Sequence, residues 1–574
     1  MNSQIFHPFV LPFVLGMAFV LTYCFVGLIR IIGQLPKDDR KKFWRSLVTP
    51  KTAWANIRDL FGDCLFHVKI WKRNPVLGYM HSAIAFGWFM IIVIGHVMLF
   101  TLKPLEGVEV EGFARTFTNF YYPIFFKYFA EETPVFAFLM DFFLLVIISG
   151  ILIAMVKKLY SKIVGVKRVT KFGFADNMIR FALWTIFPFR LIAEKTNIMA
   201  FWWLYSIDLL IFMFMLPFTR YMHIPTEALF ILMRHAGLNA RGPRKGYALA
   251  QLYSCPSCGL CIDACPMSVN DKMSGNTSAY FMKKLRNKDS EEAKRIAETC
   301  LMCGKCVMIC PVSIESCDIK FSQRVAVPYE IHSDHSYLES IEPSSPVNMT
   351  VLYFAGCMTQ LTPKIMRAMK HIMETAGEEY EFLDKDGGIC CGRPMLLSGK
   401  TAEAQAMIAK NTELIKKSGA KKLVLSCPIC YKVFKDEYHL EGIEIQHHTQ
   451  YINELIKDGK LMVDKTNVNY VYHDPCELGR AFGVYDEPRE VIENVGNLLK
   501  AKSEKELSIC CGGSLGSFNL TQKERDEITS NSVADLMFNN PDEIVTACPL
   551  CLKTFARKSP VKVQDIAEIV YKSI

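Results

Sequence analysis

Eight cysteines fall in two copies of one rhythm, Cys255-x2-Cys258-x2-Cys261-x3-Cys265-Pro266 and Cys300-x2-Cys303-x2-Cys306-x3-Cys310-Pro311. Three closely spaced thiolates wrap one [4Fe-4S] cluster, and in two-cluster runs of this spacing the fourth cysteine ligates the other cluster. The pattern assigns Cys255, Cys258, Cys261 and Cys310 to one cubane, and Cys300, Cys303, Cys306 and Cys265 to a second. Structural zinc also favours CxxC pairs, but it takes four ligands, and eight in this triple-plus-one rhythm do not suit it. Cys317, Cys24 and Cys64 stand outside the pattern and read as packed thiols.

Ten further cysteines form an internal duplication. The first copy has Cys357, Cys390-Cys391-Gly392 and Cys427-Pro428-Ile429-Cys430, and the second has Cys476, Cys510-Cys511-Gly512 and Cys548-Pro549-Leu550-Cys551. Equivalent cysteines are offset by 119 to 121 residues, a fixed period that marks a repeat. Short β-type runs at 350–354, 422–425, 469–472 and 543–546 lead into these cysteines, and amphipathic helical patterns such as 402–417 separate them. That alternation predicts α/β units with parallel sheets, the ligands projecting from the carboxyl ends of strands. Gly392 and Gly512 are expected to let the backbone approach a cluster closely. His473, in His473-Asp474-Pro475-Cys476, is either a proton donor beside the cluster or a local packing residue; His447 and His448 lack a partner motif.

Of the 21 cysteines, 19 lie between Cys255 and Cys551. CxxC spacing is too tight for easy disulfide pairing and no cleavable signal peptide is visible, so thiolate-held metal in a reducing compartment is the better inference. The chain has 574 residues, 51% of them hydrophobic, and a net charge of +9. Apolar runs dominate up to about residue 222, and the positive excess flanks them, which argues for membrane topology and against nucleic acid.

Four strong spans are predicted, at 8–32, 81–102, 134–156 and 200–222, with a weaker one at 178–193 that carries Pro188. Residues 33–78 hold ten Lys/Arg against four Asp/Glu, residues 103–133 three against five, and residues 157–180 seven against one. Basic loops stay inside, and the basic segment 220–245 is inside as well. Two inside segments in succession require the weak span to cross, giving five helices with the N-terminus out and the C-terminus in. His81 and His223 then sit at matching depth on antiparallel helices, where they either ligate one haem or lie in the headgroup zone.

At these residues the chain resembles known families. LPFTRYMHIP at 216–225, with Gly78-Tyr79-Met80-His81 and Phe86-Gly87-Trp88, resembles the haem b gamma subunit of respiratory nitrate reductase and the membrane subunits of heterodisulfide reductase. The resemblance implies one haem b held by His81 and His223. A second haem at His96 meets Tyr205 where the family pattern has a histidine. The 34 residues between Cys265 and Cys300, helical at 290–299, resemble the all-helical ferredoxin domain of succinate dehydrogenase and heterodisulfide reductase. The duplicated half resembles the CCG domain of the catalytic subunit of heterodisulfide reductase, found also in iron–sulfur subunits of glycolate oxidase and anaerobic glycerol-3-phosphate dehydrogenase. That implies two noncubane [4Fe-4S] clusters, one on Cys357, Cys390, Cys391, Cys427 and Cys430 and one on Cys476, Cys510, Cys511, Cys548 and Cys551.

The expected architecture is multidomain: a five-helix transmembrane bundle (1–235), an α-helical two-cluster ferredoxin domain (246–335) and a duplicated α/β CCG domain (346–460 and 465–574). The whole resembles heterodisulfide-reductase-like membrane oxidoreductases, including those that link electron-transfer flavoprotein to menaquinone. The expected protein is a multi-pass enzyme of a prokaryotic cytoplasmic membrane with its iron–sulfur domains facing the cytoplasm. It exchanges electrons between menaquinone and a soluble partner. A quinol-dependent disulfide reductase and a relay or anchor subunit of a separate dehydrogenase are the alternatives. No GxGxxG signature is present, so any flavin or nicotinamide site belongs to a partner.

Overall fold

The computed structural model describes residues 7–101, 124–125, 134–156, 170–238, 245–326, 350–387 and 389–574. Most of the loop 103–133, the basic stretch 157–169 and the residues 327–349 ahead of the duplicated half lie outside the described residues. The chain divides into two compact units, Met1–Asp263 with Cys310–Ile314, and Ala264–Ile309 with Glu315–Ile574. The division falls inside the expected ferredoxin domain.

In the first unit the long helices are α1 (Val10–Gly33), α2 (Pro75–Thr101), α3 (Pro134–Val156), α4 (Phe174–Thr196) and α5 (Met199–Met215), followed by α6 (His223–His235). Among the described residues, four spans are long and apolar enough to cross a membrane: Val10–Gly33, Pro75–Met98, Pro134–Val156 and Met199–Phe218. This corrects the expected count of five. The weak span does form a helix of 23 residues, α4, but Asp176, Arg180, Arg190, Glu194 and Lys195 exclude it by composition. One pair of its charges is turned inward: Arg190 Nε donates to Glu194 at 2.8 Å and Arg190 Nη1 to the Tyr205 hydroxyl at 3.2 Å, with both ions of the pair buried.

Small residues let these helices close on one another. A Cβ on Gly150 of α3 would lie 3.0 Å from both Ala83 Cβ and the Met80 carbonyl of α2, and one on Gly87 would lie 2.6 Å from Ile147. Such close approach is how apolar helices gain packing where the surroundings are equally apolar. Gly150→Leu should push α2 and α3 apart at a cost of about 1–3 kcal/mol. The expected result is a lower thermal midpoint for the helical unit in detergent, with the cysteine-rich unit unchanged.

The second expected difference concerns His223. Pro217 opens a tight turn at Leu216–Phe218, Thr219 is extended (φ −122°, ψ 177°), a single 3-10 turn follows at Arg220–Met222, and the α-helix resumes at His223. His223 therefore begins α6 and does not close the last apolar span.

The duplicated half forms two four-stranded, wholly parallel sheets. Strands β1 (Val351–Phe354), β2 (Tyr380–Phe382), β3 (Lys422–Leu425) and β4 (Glu444–His447) lie in the order β2-β1-β3-β4. Strands β5 (Asn469–His473), β6 (Asn497–Leu499), β7 (Glu543–Thr546) and β8 (Lys562–Asp565) repeat it as β6-β5-β7-β8. The central strands read VLYF, KLVL and EIVT and are buried along nearly their whole length, as expected when helices cover both faces of a parallel sheet. The helix at Ser290–Thr299 and the strand runs before the cysteines fall where the sequence places them.

Candidate iron–sulfur centres

In each two-cluster run the backbone curls so that thiols face inward, and the residues flanking the middle cysteine take left-handed conformations. Ser257 and Gly259 have φ 52° and 94°, and Met302 and Gly304 have φ 54° and 74°. In the first unit the Cys310 thiol lies against Cys258 and Cys255, and burial pushes it up to about 12 despite hydrogen bonds from the Ile314 and Val312 amides. In the second unit Cys265 lies against Cys303, Cys306 and Cys300, its thiol raised chiefly by burial. The fourth cysteine of each run thus sits with the other run's triplet.

Two residues missed by motif reading, a cation and a thiol, join the second set. Lys320 is buried, with Nζ 3.4 Å from Cys300 Sγ and 2.9 Å from Ser278 Oγ. Burial works against its ammonium, but Cys300, Cys306 and Cys317 hold it charged. Cys317 hydrogen-bonds Cys306 and lines the same cavity as Cys265, Cys300 and Cys303. It is a fifth thiol at this centre, where sequence reading left it as a packed residue.

Each cysteine-rich copy gathers its thiols from the carboxyl ends of two strands and one loop. In the first, Cys357 follows β1, Cys427 and Cys430 follow β3, and Cys390-Cys391 come from the loop after β2. Asp384 fixes that corner by accepting the Ala355 and Gly356 amides at 2.8 and 2.7 Å, and burial raises its carboxyl to about 6. Gly356 has φ +81°, and a Cβ there would lie 2.9 Å from Cys430 Sγ. Gly392 and Gly512 have φ +87° and +89°. Their need is the left-handed turn after the paired cysteines, and a Cβ on Gly392 would meet only ordinary contacts with Ala404 and Ile408.

The two copies share one electrostatic pattern. Cys391 is held well below the usual thiol range by hydrogen bonds from Cys390 and Cys430, and Cys511 likewise by Cys510 and Cys551. A ready thiolate flanked by protonated neighbours is the donor set a metal cluster replaces. Beside these thiols, Arg480 Nη2 and Arg393 Nε are buried with no hydrogen-bond partner among the described residues. Cluster sulfur is the kind of acceptor such donors require, so the residues fit iron–sulfur groups.

The copies differ where their partners differ. His473 is buried, edge-on to Phe555 at 4.6 Å, with its ring nitrogen, Cys511 Sγ and Cys551 Sγ all within 4.8 Å of one another. Burial lowers its basicity. The equivalent residue of the first copy is Phe354, edge-on to Phe434 at 5.2 Å. Asp474 does not face the thiols; it is clamped by Arg489 at 2.7 and 2.8 Å. Arg393 of the first copy pairs with Glu477 of the second at 2.8 Å. His448 pairs with Asp565 at 3.0 Å, and the His447 ring lies tilted against His448 with centroids 4.3 Å apart, both buried.

Two contacts order the centres. Cys303 shares a hydrogen bond with Cys510, so the second cubane set touches the second cysteine-rich copy. Cys427 and Cys548 are close enough to repel, so the two copies adjoin. A cavity at their junction is lined by Pro428 and Ile429 of the first copy and by Cys476, Cys511, Cys548 and Cys551 of the second.

These arrangements match known domains. A cysteine-rich (CCG) domain matches at residues 351–435 and 470–556, and a 4Fe-4S dicluster domain at 251–314. The chain is 31% identical over 253 residues to the EtfAB:quinone oxidoreductase of Syntrophomonas wolfei, covering 40% of this chain and 35% of that protein. It is 28% identical over 241 residues to one of the subunits of the dihydromethanophenazine:CoB–CoM heterodisulfide reductase of Methanosarcina barkeri, covering 39% of this chain and 59% of that one. Over these regions the chain is homologous to iron–sulfur oxidoreductases of the heterodisulfide-reductase type. A third relative, from the CoM/CoB fumarate reductase of Methanothermobacter marburgensis, is 26% identical over 331 residues, covering 56% of this chain and 61% of that protein. The chain spans less than two thirds of each of these relatives.

The membrane histidines have separate neighbours. His81, on α2, stacks on His67 with ring centroids 5.3 Å apart. His223 Nδ1 hydrogen-bonds the Arg220 carbonyl at 2.7 Å, and His96 Nδ1 the Ile92 carbonyl at 2.7 Å. A carbonyl on Nδ1 sets the tautomer in which Nε2 is the ligating atom, as in metal-binding histidines.

Proposed function

We propose that the chain is a membrane-bound iron–sulfur oxidoreductase that moves electrons between menaquinone and a cytoplasmic redox protein such as an electron-transfer flavoprotein. The observation that carries this reading is the Cys303–Cys510 contact. An electron path through the chain needs a cubane ligand to meet a ligand of the cysteine-rich domain, and this pair does. The similarity to an EtfAB:quinone oxidoreductase supports the choice of partners.

In this reading the two-run cysteines hold two cubane clusters, each five-cysteine set holds a noncubane cluster, and His81 and His223 hold one haem b. These groups supply one-electron chemistry when bound, and the chain supplies position, burial and compensating charge. The second copy meets the cubane side thiol to thiol, at Cys510 and Cys303, whereas the first copy meets it through Arg324 and the Leu397 carbonyl, so the first copy is the outer end of the path. Cys357 is exposed, whereas Cys476 is half-buried and every other thiol of both sets is buried. The soluble partner accordingly meets the first copy. The basic loop 33–78 marks the cytoplasmic face in this reading.

The junction cavity favours a second reading, reduction of a small disulfide between the two copies. Vesicles holding the full chain and menaquinone separate the two. Reduced electron-transfer flavoprotein should reduce the quinone only when the chain is present. If a small disulfide reoxidises the quinol-reduced protein and the flavoprotein does not react, the second reading replaces the first.

A further inference from the structure

The junction between Cys303 and Cys510 is built around one cation that no cysteine motif includes. Arg480, four residues after Cys476, donates from Nε to the Cys303 carbonyl at 2.7 Å and from Nη1 to the Ser508 carbonyl at 2.7 Å. One side chain thus ties the loop of the second cubane set to the loop that delivers Cys510. Its charge lies against the thiols of Cys303, Cys476 and Cys510 together. Its third nitrogen, Nη2, is buried among them with no partner among the described residues.

The duplication supplies an internal control. The residue four places after Cys357 in the first copy is Leu361, which is 61% exposed. The fold itself does not require a cation at this position. Arginine stands only in the copy whose own cysteine meets Cys303.

We propose that Arg480 is the positioning residue for electron transfer between the second cubane centre and the second cysteine-rich centre, holding Cys303 on Cys510 and offering Nη2–H to cluster sulfur. This rests on the reading that both centres carry clusters. One electron leaves one centre and arrives at the other, with no proton and no bond made. A single cation shared by both stabilises the reduced form of each, so it raises both potentials without trapping the electron on either. A planar fork is required, because an ammonium cannot hold two carbonyls and a third acceptor in one plane.

The test uses the full-length protein, purified anaerobically, as wild type, Arg480→Gln and Arg480→Lys. Iron content, potentiometric titration followed by electron paramagnetic resonance, and freeze-quenched reduction from the quinol side are measured. Arg480→Gln should keep wild-type iron. Both potentials should fall by the equivalent of about tenfold, near 59 mV for one electron. Reduction of the second cysteine-rich centre should slow by a similar factor, while reduction of the cubanes is unchanged. Arg480→Lys should restore much of the potential but not the rate. Wild-type potentials and rates in an iron-replete Arg480→Gln protein would overturn the proposal. Should Arg480→Gln lose iron, Arg480→Lys decides: full iron with a slowed rate supports the role, and full iron with the wild-type rate overturns it. Absence of noncubane signals in the wild type itself would sink the parent reading instead.

Discussion

In a Cys511→Ser variant, electrons entering from quinol should reduce both cubane centres and stop there. The first cysteine-rich centre, though intact, should stay oxidised until the soluble partner reduces it from the other side. Cys391→Ser should behave in the opposite way: quinol reduces everything up to and including the second copy, and only the reaction with the partner is lost. Each variant should lose about four of roughly sixteen irons, because each substitution removes the thiolate at the centre of one five-cysteine set. The expectation follows from two contacts, Cys303 with Cys510 and Cys427 with Cys548, which link the thiols in the order cubane side, second copy, first copy. Cluster-resolved electron paramagnetic resonance after mixing with each reductant reads the outcome. If the first copy is reduced by quinol at the wild-type rate in Cys511→Ser, the order is wrong and the two copies are filled in parallel. If wild-type iron is near eight per chain, neither five-cysteine set carries a cluster.

That order runs against the order of the chain, and this marks the limit of what sequence reading could supply. The cysteine groupings that the structure brings together were legible because each is written locally, as a triplet or a pair of fixed spacing. The duplication was legible for a similar reason, since an offset of 119 to 121 residues is visible without any fold. The strands were legible because a buried parallel sheet demands continuous apolar runs such as VLYF and KLVL. Contacts between segments far apart in sequence were not. Arg480 reaches Cys303 across 177 residues and Arg393 reaches Glu477 across 84, and neither residue belongs to a motif. Lys320 and Cys317 escaped for the same reason, although Cys317 lay only seven residues beyond Cys310.

The membrane half was misread where local and global signals compete. Apolar length alone carried the last span through to residue 222. Pro217 and the extended Thr219 end it earlier, and the chain turns before His223. For α4 the charge rule demanded a crossing while composition forbade counting it as apolar. In the structure α4 forms a full helix but is not among the apolar spans, and its Arg190 is buried against Glu194 and Tyr205. Tyr205 stands where the resembled family has a second histidine, and here it serves as a hydrogen-bond partner to that arginine.

Replacing His223 by Ala should abolish the absorbance bands of a reduced low-spin haem b while leaving the iron content of the clusters at the wild-type level. The geometry already prepares His223 for the role: its Nδ1 is engaged by the Arg220 carbonyl at 2.7 Å, which fixes the ring and sets Nε2 as the ligating atom. His81→Ala should have the same effect, because an iron with only one strong axial imidazole no longer gives the low-spin spectrum. His67 sharpens the test. It stacks on His81 at 5.3 Å with an interplanar angle of 27°, so it is the nearest histidine available to take over if His81 is not the ligand. His67→Ala should preserve the haem-to-protein ratio near one and shift the band positions only slightly. Loss of haem in His67→Ala with retention in His81→Ala would move the axial ligand from the helix to the loop before it. A haem-to-protein ratio near two would require a partner for His96, whose Nδ1 is likewise held on a carbonyl, that of Ile92. A ratio of zero in the wild type would leave all of these histidines without a haem to hold, and quinol oxidation would then have to deliver its electrons directly to the cubane proposed on Cys255, Cys258, Cys261 and Cys310.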